Sequence, residues 1–398
     1  MPWDISIRPA AFRASETLGQ QPFLRGYAEG VFRLRTNATN LIMMRIQVGG
    51  AGGAPSNNFI RSLHDAPSQY YIIGSCASAT DLFLADCDEK HLVPSASDPA
   101  YREDLLRLLD RTRPQLMHVQ NDFEVRAVSR LRRDIADVGT SLFMPSEDTV
   151  ETCVDKFRSY EVWARSGVRA PRTMLLHGPD DLRRALRELG PKVWVRATEG
   201  GGGTGALPTD SFDFARLWIE RYAGWGVFTA SECLTSRTTT WLSIWYEGQL
   251  VVAQSRRRWS WNFGNRTLSG VTGITGVGET WADPEVDRLA DQAILAIDPR
   301  PHGIFGVDMT FGADDLPYVT EINIARFFTT HYFFTKAGLN LPHIYCQLGV
   351  DGTLPNLEKK INPLPDGLLW IRGMDVEPAL TSVDVLERVK SSGNFPSA

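Results

Sequence analysis

The chain has 398 residues, of which 43% are hydrophobic and 22% are charged, and its formal net charge is -5. This length predicts two or three domains with apolar cores of their own. The acidic balance argues against a nucleic-acid binder, which normally presents a basic face. A local basic patch is the alternative that stays open. No apolar run approaches the roughly 20 residues that a membrane helix needs, so no membrane helix is predicted.

The cysteines and histidines carry no metal or disulfide pattern. An odd, scattered set of cysteines predicts reduced thiols and a cytoplasmic protein. The seven histidines show no HxxxH or HExxH spacing, so no zinc site is predicted. The N-terminus also lacks the apolar stretch of a secretory signal. The cysteines are Cys76, Cys87, Cys153, Cys233 and Cys346.

Residues 1–40 have no sustained hydrophobic period and are assigned to an N-terminal extension. Two interpretations stay open: an extension ahead of a natural start at Met43 or Met44, or an arm packed on the body. From residue 41 to about 145, apolar runs alternate with a helical period near 101–109, which predicts a Rossmann-like domain with a parallel sheet. The predicted strands are 41–48, 70–73, 81–85, 116–119 and 141–144.

The glycine turn after the first strand is a weak signal for dinucleotide binding. Pro55 occupies the place of the third glycine in a GxGxxG motif. The second strand ends in Gly74 and Ser75, where an acidic residue would hold the ribose. The pattern therefore favours a tight βα turn in a domain without a nicotinamide cofactor.

A second region starts near Pro145 and mixes helices with strands. Glu247 and Gly248 predict a hairpin turn. From Leu354 onward the chain looks irregular apart from a short strand at 368–372, and residues 351–398 are assigned to a C-terminal cover. The predicted helices are 149–166, 180–189 and 287–297, and the predicted strands are 193–196, 227–231, 240–246, 249–254, 304–311 and 317–323.

One group of basic residues and glycines points to phosphate chemistry. Arg196 ends a buried-looking strand that runs into four consecutive glycines, 200–203. Such glycines are costly to order, but they let backbone N–H groups approach an anion closely. A floppy surface linker is the alternative. Lys156, on a predicted helix, is by itself equally consistent with a solvated lysine.

The strand at 317–323 carries the strongest signal. Glu321 and Asn323 are two residues apart and share one face of the strand. The preceding strand can bring Asp308 beside them, and oxygen ligands of this kind suit Mg²⁺ bridging phosphates. The alternative is a polar sheet face in water, against which the aromatic pair Phe327 and Phe328 argues.

Taken in order, these elements resemble the ATP-grasp superfamily, with the nearest pattern in the carbamoyl-phosphate synthase large chain and related carboxylate–amine ligases. The resemblance covers about residues 41–350. It implies an α/β and α+β architecture in which two α+β lobes clasp ATP behind a Rossmann-like pre-ATP-grasp domain. The implied boundaries are 41–145 for that domain and 146–350 for the ATP-grasp domain, with a small lobe at about 146–235 and a large lobe at about 236–350.

The resemblance also assigns roles to residues. Lys156 and Arg196 resemble the cations that contact ATP phosphates, and Arg196 and Arg326 would act on the transferred phosphoryl group or the acyl phosphate. The implied cofactors are ATP and Mg²⁺, with Mn²⁺ as a substitute. The mobile loop is 200–205, in which Gly200, Gly201, Gly202, Gly203 and Thr204 would bind the cofactor. The adenine hinge is Glu232, Cys233 and Leu234, and the metal ligands are Asp308, Glu321 and Asn323.

Two departures from the family pattern matter. Family members usually carry an acidic residue after the hinge that contacts ribose, and residues 236–240 of this chain contain no such residue. The family's Glu-x-Asn-Pro-Arg is replaced by a segment one residue longer, 321–326, without proline. Arg256, Arg257 and Arg258 are therefore rival phosphate or carboxylate binders, with a solvated cationic corner as the alternative.

The implied function is ligation of a small-molecule carboxylate to an amine or ammonia through an acyl phosphate. Two alternatives stay open: an ATP-grasp kinase or carbamoyl-phosphate-type phosphoryl transfer, and a catalytically silent nucleotide-binding protein. Residues 269–276, residues 329–334 and Arg372 are candidates for the acceptor pocket, with plain turns and core as the alternative. Relatives often pair through the sheet-bearing lobe, which suggests a homodimer.

Overall fold

The structure is a computed structural model that describes residues 43–203, 205–374 and 379–392. The predicted N-terminal extension and the loop residue Thr204 lie outside the described residues. No helix in the described part of the chain is long and apolar enough to cross a bilayer. Three sheets organise these residues.

The first sheet is the predicted parallel one. In chain order its elements are β1 (Met44–Gly49), α1 (Ala54–His64), β2 (Tyr70–Cys76), α2 (Ala79–Leu84), β3 (Glu89–Leu92), α3 (Tyr101–Thr112), β4 (Leu116–His118), α4 (Asp122–Arg130), α5 (Arg132–Asp137) and β5 (Ser141–Leu142). The five strands are parallel and lie in the order β3-β2-β1-β4-β5. Buried aliphatic residues fill the central strands, as covering helices require.

The strand predicted at 81–85 is wrong, because this segment forms helix α2. The hydroxyl of Ser78 caps the helix by accepting a hydrogen bond from the backbone N–H of Asp81 at 3.3 Å. Phe83 and Leu84 are largely exposed, so their apolar character does not mark a buried strand. The actual edge strand, β3, is charged and alternates in burial, as sheet edges commonly do.

The second sheet is small and antiparallel. Its region comprises α6 (Glu147–Val154), α7 (Lys156–Arg165), β6 (Thr173–Leu176), α8 (Pro179–Glu188), β7 (Val193–Ala197), β8 (Leu207–Thr209), α9 (Phe212–Arg221) and β9 (Phe228–Glu232). The strands lie in the order β6-β9-β7-β8. We call this four-stranded sheet and its helices α8 and α9 the small lobe.

The helix predicted at 149–166 is two helices that meet at Asp155. The Asp155 carboxylate accepts hydrogen bonds from the backbone N–H groups of Phe157 and Arg158 at 2.9 and 3.1 Å, which caps α7. Trp163 of α7 is buried and donates to the carbonyl oxygen of Ala293 at 3.0 Å. Helices α6 and α7 also contact the strand at 317–324 of the third sheet, which places Lys156 beside that sheet.

The third sheet has seven antiparallel strands. Its region comprises β10 (Thr238–Tyr246), β11 (Gln249–Trp261), β12 (Thr275–Thr280), α10 (Pro284–Ile297), β13 (Gly303–Phe311), β14 (Pro317–Ile324), α11 (Tyr332–Lys336), α12 (Leu341–Asp351), β15 (Leu368–Ile371), β16 (Ala379–Ser382) and α13 (Val383–Ser392). The spatial order is β14-β13-β10-β11-β12-β15-β16. We call this sheet with α10 the large lobe.

Two local features of the large lobe bear on the sequence predictions. Glu247 and Gly248 have φ of 49° and 84°, which fits the predicted hairpin turn between β10 and β11. The C-terminal segment does more than cover the fold, since β15 pairs with β12 and β16 pairs with β15. The irregular composition after Leu354 concealed the second of these strands.

The buried hydrophobic clusters show which parts of the chain pack on each other. We call the parallel sheet and its helices the first domain. Ile46 and Phe59 of the first domain share one buried cluster with Leu242 of the large lobe. The small lobe, in contrast, has a separate cluster of its own that includes Val195 and Ala230. The first domain and the large lobe therefore form a continuous frame, to which the small lobe is attached with an independent core.

Candidate active site

Two neighbouring strands bring the predicted metal ligands together. Asp308 of β13 and Glu321 of β14 are register partners. Asn323 lies two residues further along the same face, and its Nδ2 donates to Asp308 Oδ2 at 2.9 Å. The hydroxyl of Thr240, on the neighbouring β10, donates to the other oxygen of Asp308.

This donor set fits a hard cation. Within the described residues no group of three or more His, Cys, Asp or Glu side chains is placed to hold a metal. A cation here would take two carboxylates and the amide oxygen of Asn323, and would complete its shell with water and phosphate oxygens. That mixture of few protein ligands and substrate oxygens is typical of Mg²⁺.

Two cations lie next to Asp308 and Glu321, which we call the acidic pair. Arg196 Nη1 lies 3.3 Å from Glu321 Oε2, and Lys156 Nζ lies 3.9 Å from the same oxygen. Burial acts to raise the pKa of Glu321, but Lys156 and Arg196 outweigh it, so the pKa is lowered. Burial lowers the pKa of Lys156, and Glu321 opposes that shift. Glu321 is therefore held ionised.

Arg326 reaches the same site despite the longer segment. The extra residue, Ala325, is buried and adopts a left-handed backbone with φ of 55°. The backbone N–H of Ala325 donates to the carbonyl oxygen of Ile304 at 2.9 Å. The extra residue therefore keeps a backbone hydrogen bond to β13. Arg326 then donates to Asn323 Oδ1 at 2.5 Å and pairs with Asp122.

The glycine loop of the small lobe lies against a loop of the large lobe. Gly202 and Gly203 have φ of 68° and 75°, which glycine adopts without strain. A Cβ atom on Gly203 would lie 2.6 Å from the carbonyl oxygen of Val271, and one on Gly273 would lie 3.0 Å from the Cα of Gly202. The glycines are therefore needed for the close approach of the two loops.

The first cavity, of about 540 Å³, lies between the lobes beside the predicted adenine hinge. Glu232 and Leu234 line it, whereas Cys233 is not among the lining residues. Glu232 is also held by Arg172, whose Nε donates to it at 2.7 Å. Where the family's acidic residue is missing, the cavity wall has hydroxyl groups, those of Thr235, Ser236 and Thr238. We call this space the hinge cavity.

The second cavity, of about 450 Å³, lies on the other side of the acidic pair. Lys156, Gly200 and Arg326 line it together with the N-terminal end of α4. Both cavities share Asp308, Glu321 and Arg258 in their walls. The acidic pair therefore lies at the junction of two spaces, and we call the second one the inner cavity.

No protein-family model matches the chain. Among curated proteins, one named Probable alpha-L-glutamate ligase from Xanthomonas oryzae pv. oryzae (strain MAFF 311018) is 30% identical over 128 residues, 32% of this chain and 43% of that protein. A protein of the same name from Xanthomonas euvesicatoria pv. vesicatoria (strain 85-10) is 29% identical over 216 residues, 52% of this chain and 73% of that protein. The chain thus spans less than half the length of the first relative.

Solved structures are similar over most of the chain. Biotin carboxylase from Campylobacter jejuni, solved as a β,γ-ATP complex, has a TM-score of 0.65 and 15% identity, covering 83% of this chain and 76% of that chain. L-amino acid ligase from Bacillus licheniformis has a TM-score of 0.62 and 14% identity, covering 87% and 84%. Both are ATP-grasp proteins.

This protein has an ATP-grasp fold. The predicted resemblance is therefore confirmed.

The three consecutive arginines of the ATP-grasp large lobe alternate across β11. Arg257 faces away from the inner cavity and pairs with Glu279, with Nη2 2.9 Å from Oε1. Arg256 and Arg258 line the inner cavity, and their side chains are almost fully buried. The solvated cationic corner is therefore the wrong interpretation for Arg256 and Arg258.

Only some residues of the predicted acceptor segments line the inner cavity. Val271, Gly273 and Thr275 line the inner cavity, and so does Thr329. The following residues, 332–334, are buried in the core. Arg372 is absent from the inner cavity's lining, and its backbone N–H pairs with Gly276.

Asp122 is the main residue that the sequence analysis missed. It begins α4 directly after β4, at the carboxyl end of a parallel strand, where α/β folds commonly place binding residues. The signal was present in the order strand, Asn121, Asp122, but the partner Arg326 is distant in sequence. Only the fold brings the two together.

Proposed function

We propose that the protein is an ATP-dependent ligase that activates a carboxylate as an acyl phosphate for attack by an amine or ammonia. One observation carries the proposal: the oxygen ligands Asp308, Glu321 and Asn323 stand with Lys156, Arg196 and Arg326 where two cavities meet. This arrangement suits ATP in the hinge cavity, with its γ-phosphate at the junction, and a carboxylate in the inner cavity.

The chemistry requires little covalent participation by the protein. A carboxylate oxygen attacks the γ-phosphorus, the bond from that phosphorus to the bridging oxygen breaks, and ADP leaves with the electron pair. The amine nitrogen then attacks the carbonyl carbon, phosphate leaves, and the nitrogen loses a proton, giving an amide. Lys156, Arg196 and Arg326 position the reactants and offset negative charge in the transition state.

The metal has a defined place in this proposal. Asp308, Glu321 and Asn323 would hold Mg²⁺, with Mn²⁺ as a substitute of similar ligand preference. When bound, the ion neutralises charge on the phosphate oxygens and orients them. Without it, the acidic pair would repel the triphosphate.

The comparisons support ligation over simple phosphoryl transfer. Two curated relatives are named as glutamate ligases, and one similar structure is an L-amino acid ligase. We therefore propose that one substrate is an amino acid, with L-glutamate as the first compound to test. A kinase would release ADP with one substrate, whereas a ligase requires two.

The test is ADP release by the full chain with Mg-ATP, pooled carboxylic acids, pooled amino acids including L-glutamate, and ammonia. Glu321→Gln removes a metal ligand, and Glu285→Gln is the matched control, because Glu285 lies outside both cavities and pairs with Arg169 at 2.7 Å. We expect ADP release that needs both an acid and an amine, that is lost in Glu321→Gln and that persists in Glu285→Gln. ADP release that needs one substrate alone would contradict ligation.

A further inference from the structure

The inner cavity contains a buried arginine that the proposed chemistry does not use. Arg256 is 1% exposed and lines this cavity from β11. Its Nη1 donates to Thr275 Oγ1 at 2.9 Å and to Thr330 Oγ1 at 2.7 Å, and its Nη2 donates to Thr240 Oγ1 at 3.0 Å. Its guanidinium also lies 4.5 Å from the ring centre of Phe328. The side chain is therefore rigidly held.

None of these partners is an anion. Every other cation in the inner cavity's lining has a carboxylate near it. Arg326 lies 2.7 Å from Asp122. Lys156 lies 3.9 Å from Glu321, and Arg258 lies 3.9 Å from Asp308. Within the described residues, Arg256 alone among these four forms no ion pair, and its buried Nε has no hydrogen-bond partner.

A buried charge without a counterion is costly. Desolvation lowers the pKa of Arg256, and Arg258 lowers it further, while Asp308 raises it. Three neutral hydroxyl groups solvate the guanidinium but do not balance its charge. An anionic group that enters the inner cavity would neutralise the charge of Arg256. It would also accept hydrogen bonds from the N–H groups of Arg256 that have no partner, since a guanidinium has five N–H groups.

The anion is not the group that is activated. In the proposed function, that carboxylate must meet the γ-phosphate at the junction, beside Asp308 and Glu321. Arg258 lines both cavities and faces the junction, but Arg256 lines the inner cavity alone. Arg256 is thus placed to hold a second anionic group, further from the phosphate.

We propose that Arg256 forms a subsite for a substrate carboxylate that remains free after the amide is formed. This inference rests on the proposed function and specifies its substrate class. The carboxylate has two possible sources, the second carboxylate of a diacid or the α-carboxylate of an amino acid. Bidentate pairing with a planar guanidinium suits either source.

L-Glutamate is the appropriate probe, because at least one of its carboxylates stays free whichever group reacts. Its two mono-amides, L-glutamine and L-isoglutamine, each lack one carboxylate. All three are titrated calorimetrically into the full chain with Mg²⁺ and a non-hydrolysable ATP analogue. We expect L-glutamate to bind and one amide to bind about 100-fold more weakly, as loss of a charged partner from a buried guanidinium predicts. The amide that loses affinity identifies the source of the carboxylate.

Arg256→Met should bind L-glutamate about 100-fold more weakly and no longer distinguish it from that amide. Arg257→Met is the matched control, since Arg257 faces away from the inner cavity, and it should keep both properties. Binding of the ATP analogue to each variant verifies that the site is folded. The proposal is overturned if L-glutamate does not bind to wild type, if both amides bind as tightly as L-glutamate, or if Arg256→Met retains the discrimination. ADP release tests the ligase function separately, so the two failures are distinguishable.

Discussion

The carboxylate of Asp122 pairs with the guanidinium of Arg326 across two parts of the fold. Arg326 Nε lies 2.7 Å from Asp122 Oδ1, and Nη2 donates to Oδ2 at 3.2 Å. Asp122 begins α4 of the parallel-sheet domain, whereas Arg326 follows β14 of the large lobe. The first domain therefore positions a cation of the candidate active site.

Asp122→Asn tests this relationship. Loss of the carboxylate leaves Arg326 with a weaker anchor, so we expect kcat/KM for ADP release to fall about tenfold or more, as for a partly buried charge pair. Asp148→Asn is the control, since Asp148 pairs with Arg158 at 2.8 Å on the exposed surface. Equal activity in the two variants would contradict a positioning role for Asp122.

The glycine loop gives a second prediction. Gly203→Ala places a Cβ atom 2.6 Å from the carbonyl oxygen of Val271, so the two loops must separate. We expect kcat for ADP release to fall about 100-fold, because small displacements in a phosphoryl-transfer site are costly, with KM for ATP raised.

Gly226→Ala is the control for backbone strain. Gly226 has φ of 88°, also left-handed, but a Cβ atom there would meet nothing within 4 Å. Both variants should unfold at a slightly lower temperature than wild type, since alanine is strained at positive φ. Only Gly203→Ala should lose activity, and a similar loss in both would mean that the contact with Val271 is unimportant.

Glu124 predicts a dependence of stability on pH. It is buried at 4% exposure, and burial raises its pKa to about 7, while hydrogen bonds from Tyr101 and Asn121 oppose the shift. A carboxyl group with a raised pKa in the folded state contributes its full stability below its unfolded pKa. That contribution is lost as pH rises from about 4.5 to about 7.

Glu124→Gln removes this titration. The shift corresponds to about 3 kcal/mol of unfolding free energy. We expect the melting temperature of the variant, relative to wild type, to rise between pH 5 and pH 8. The comparison is made by thermal unfolding at matched ionic strength. A difference that stays constant with pH would show that Glu124 is ionised in the folded protein throughout this range.

The shared face of Glu321 and Asn323 can be predicted from the sequence, whereas the inner cavity cannot, for a physical reason. Glu321 and Asn323 share a face because side chains alternate along a strand, and this is a local rule. Arg256 acquires its environment from Thr275 and Thr330, on elements far apart in the chain. No local pattern distinguishes such an arginine from a solvated one.

The fold shows the same division between local and distant determinants. Parallel strands β1 and β2 are apparent from their apolar runs. The sequence pattern predicts a strand in place of helix α2 because Phe83 and Leu84, which are exposed, resemble the apolar run of a buried strand. Strand β16 was missed because its place beside β15 depends on pairing, which short sequences do not specify.

The most direct test of the account is to follow oxygen from the carboxylate substrate. The acid that supports ADP release is labelled with ¹⁸O in its carboxylate, and the inorganic phosphate released with ADP is analysed by mass spectrometry. Because the carboxylate oxygen that attacks phosphorus leaves with the phosphate, an acyl-phosphate mechanism predicts one ¹⁸O atom per phosphate. Unlabelled phosphate, formed alongside the amide, would contradict the central claim.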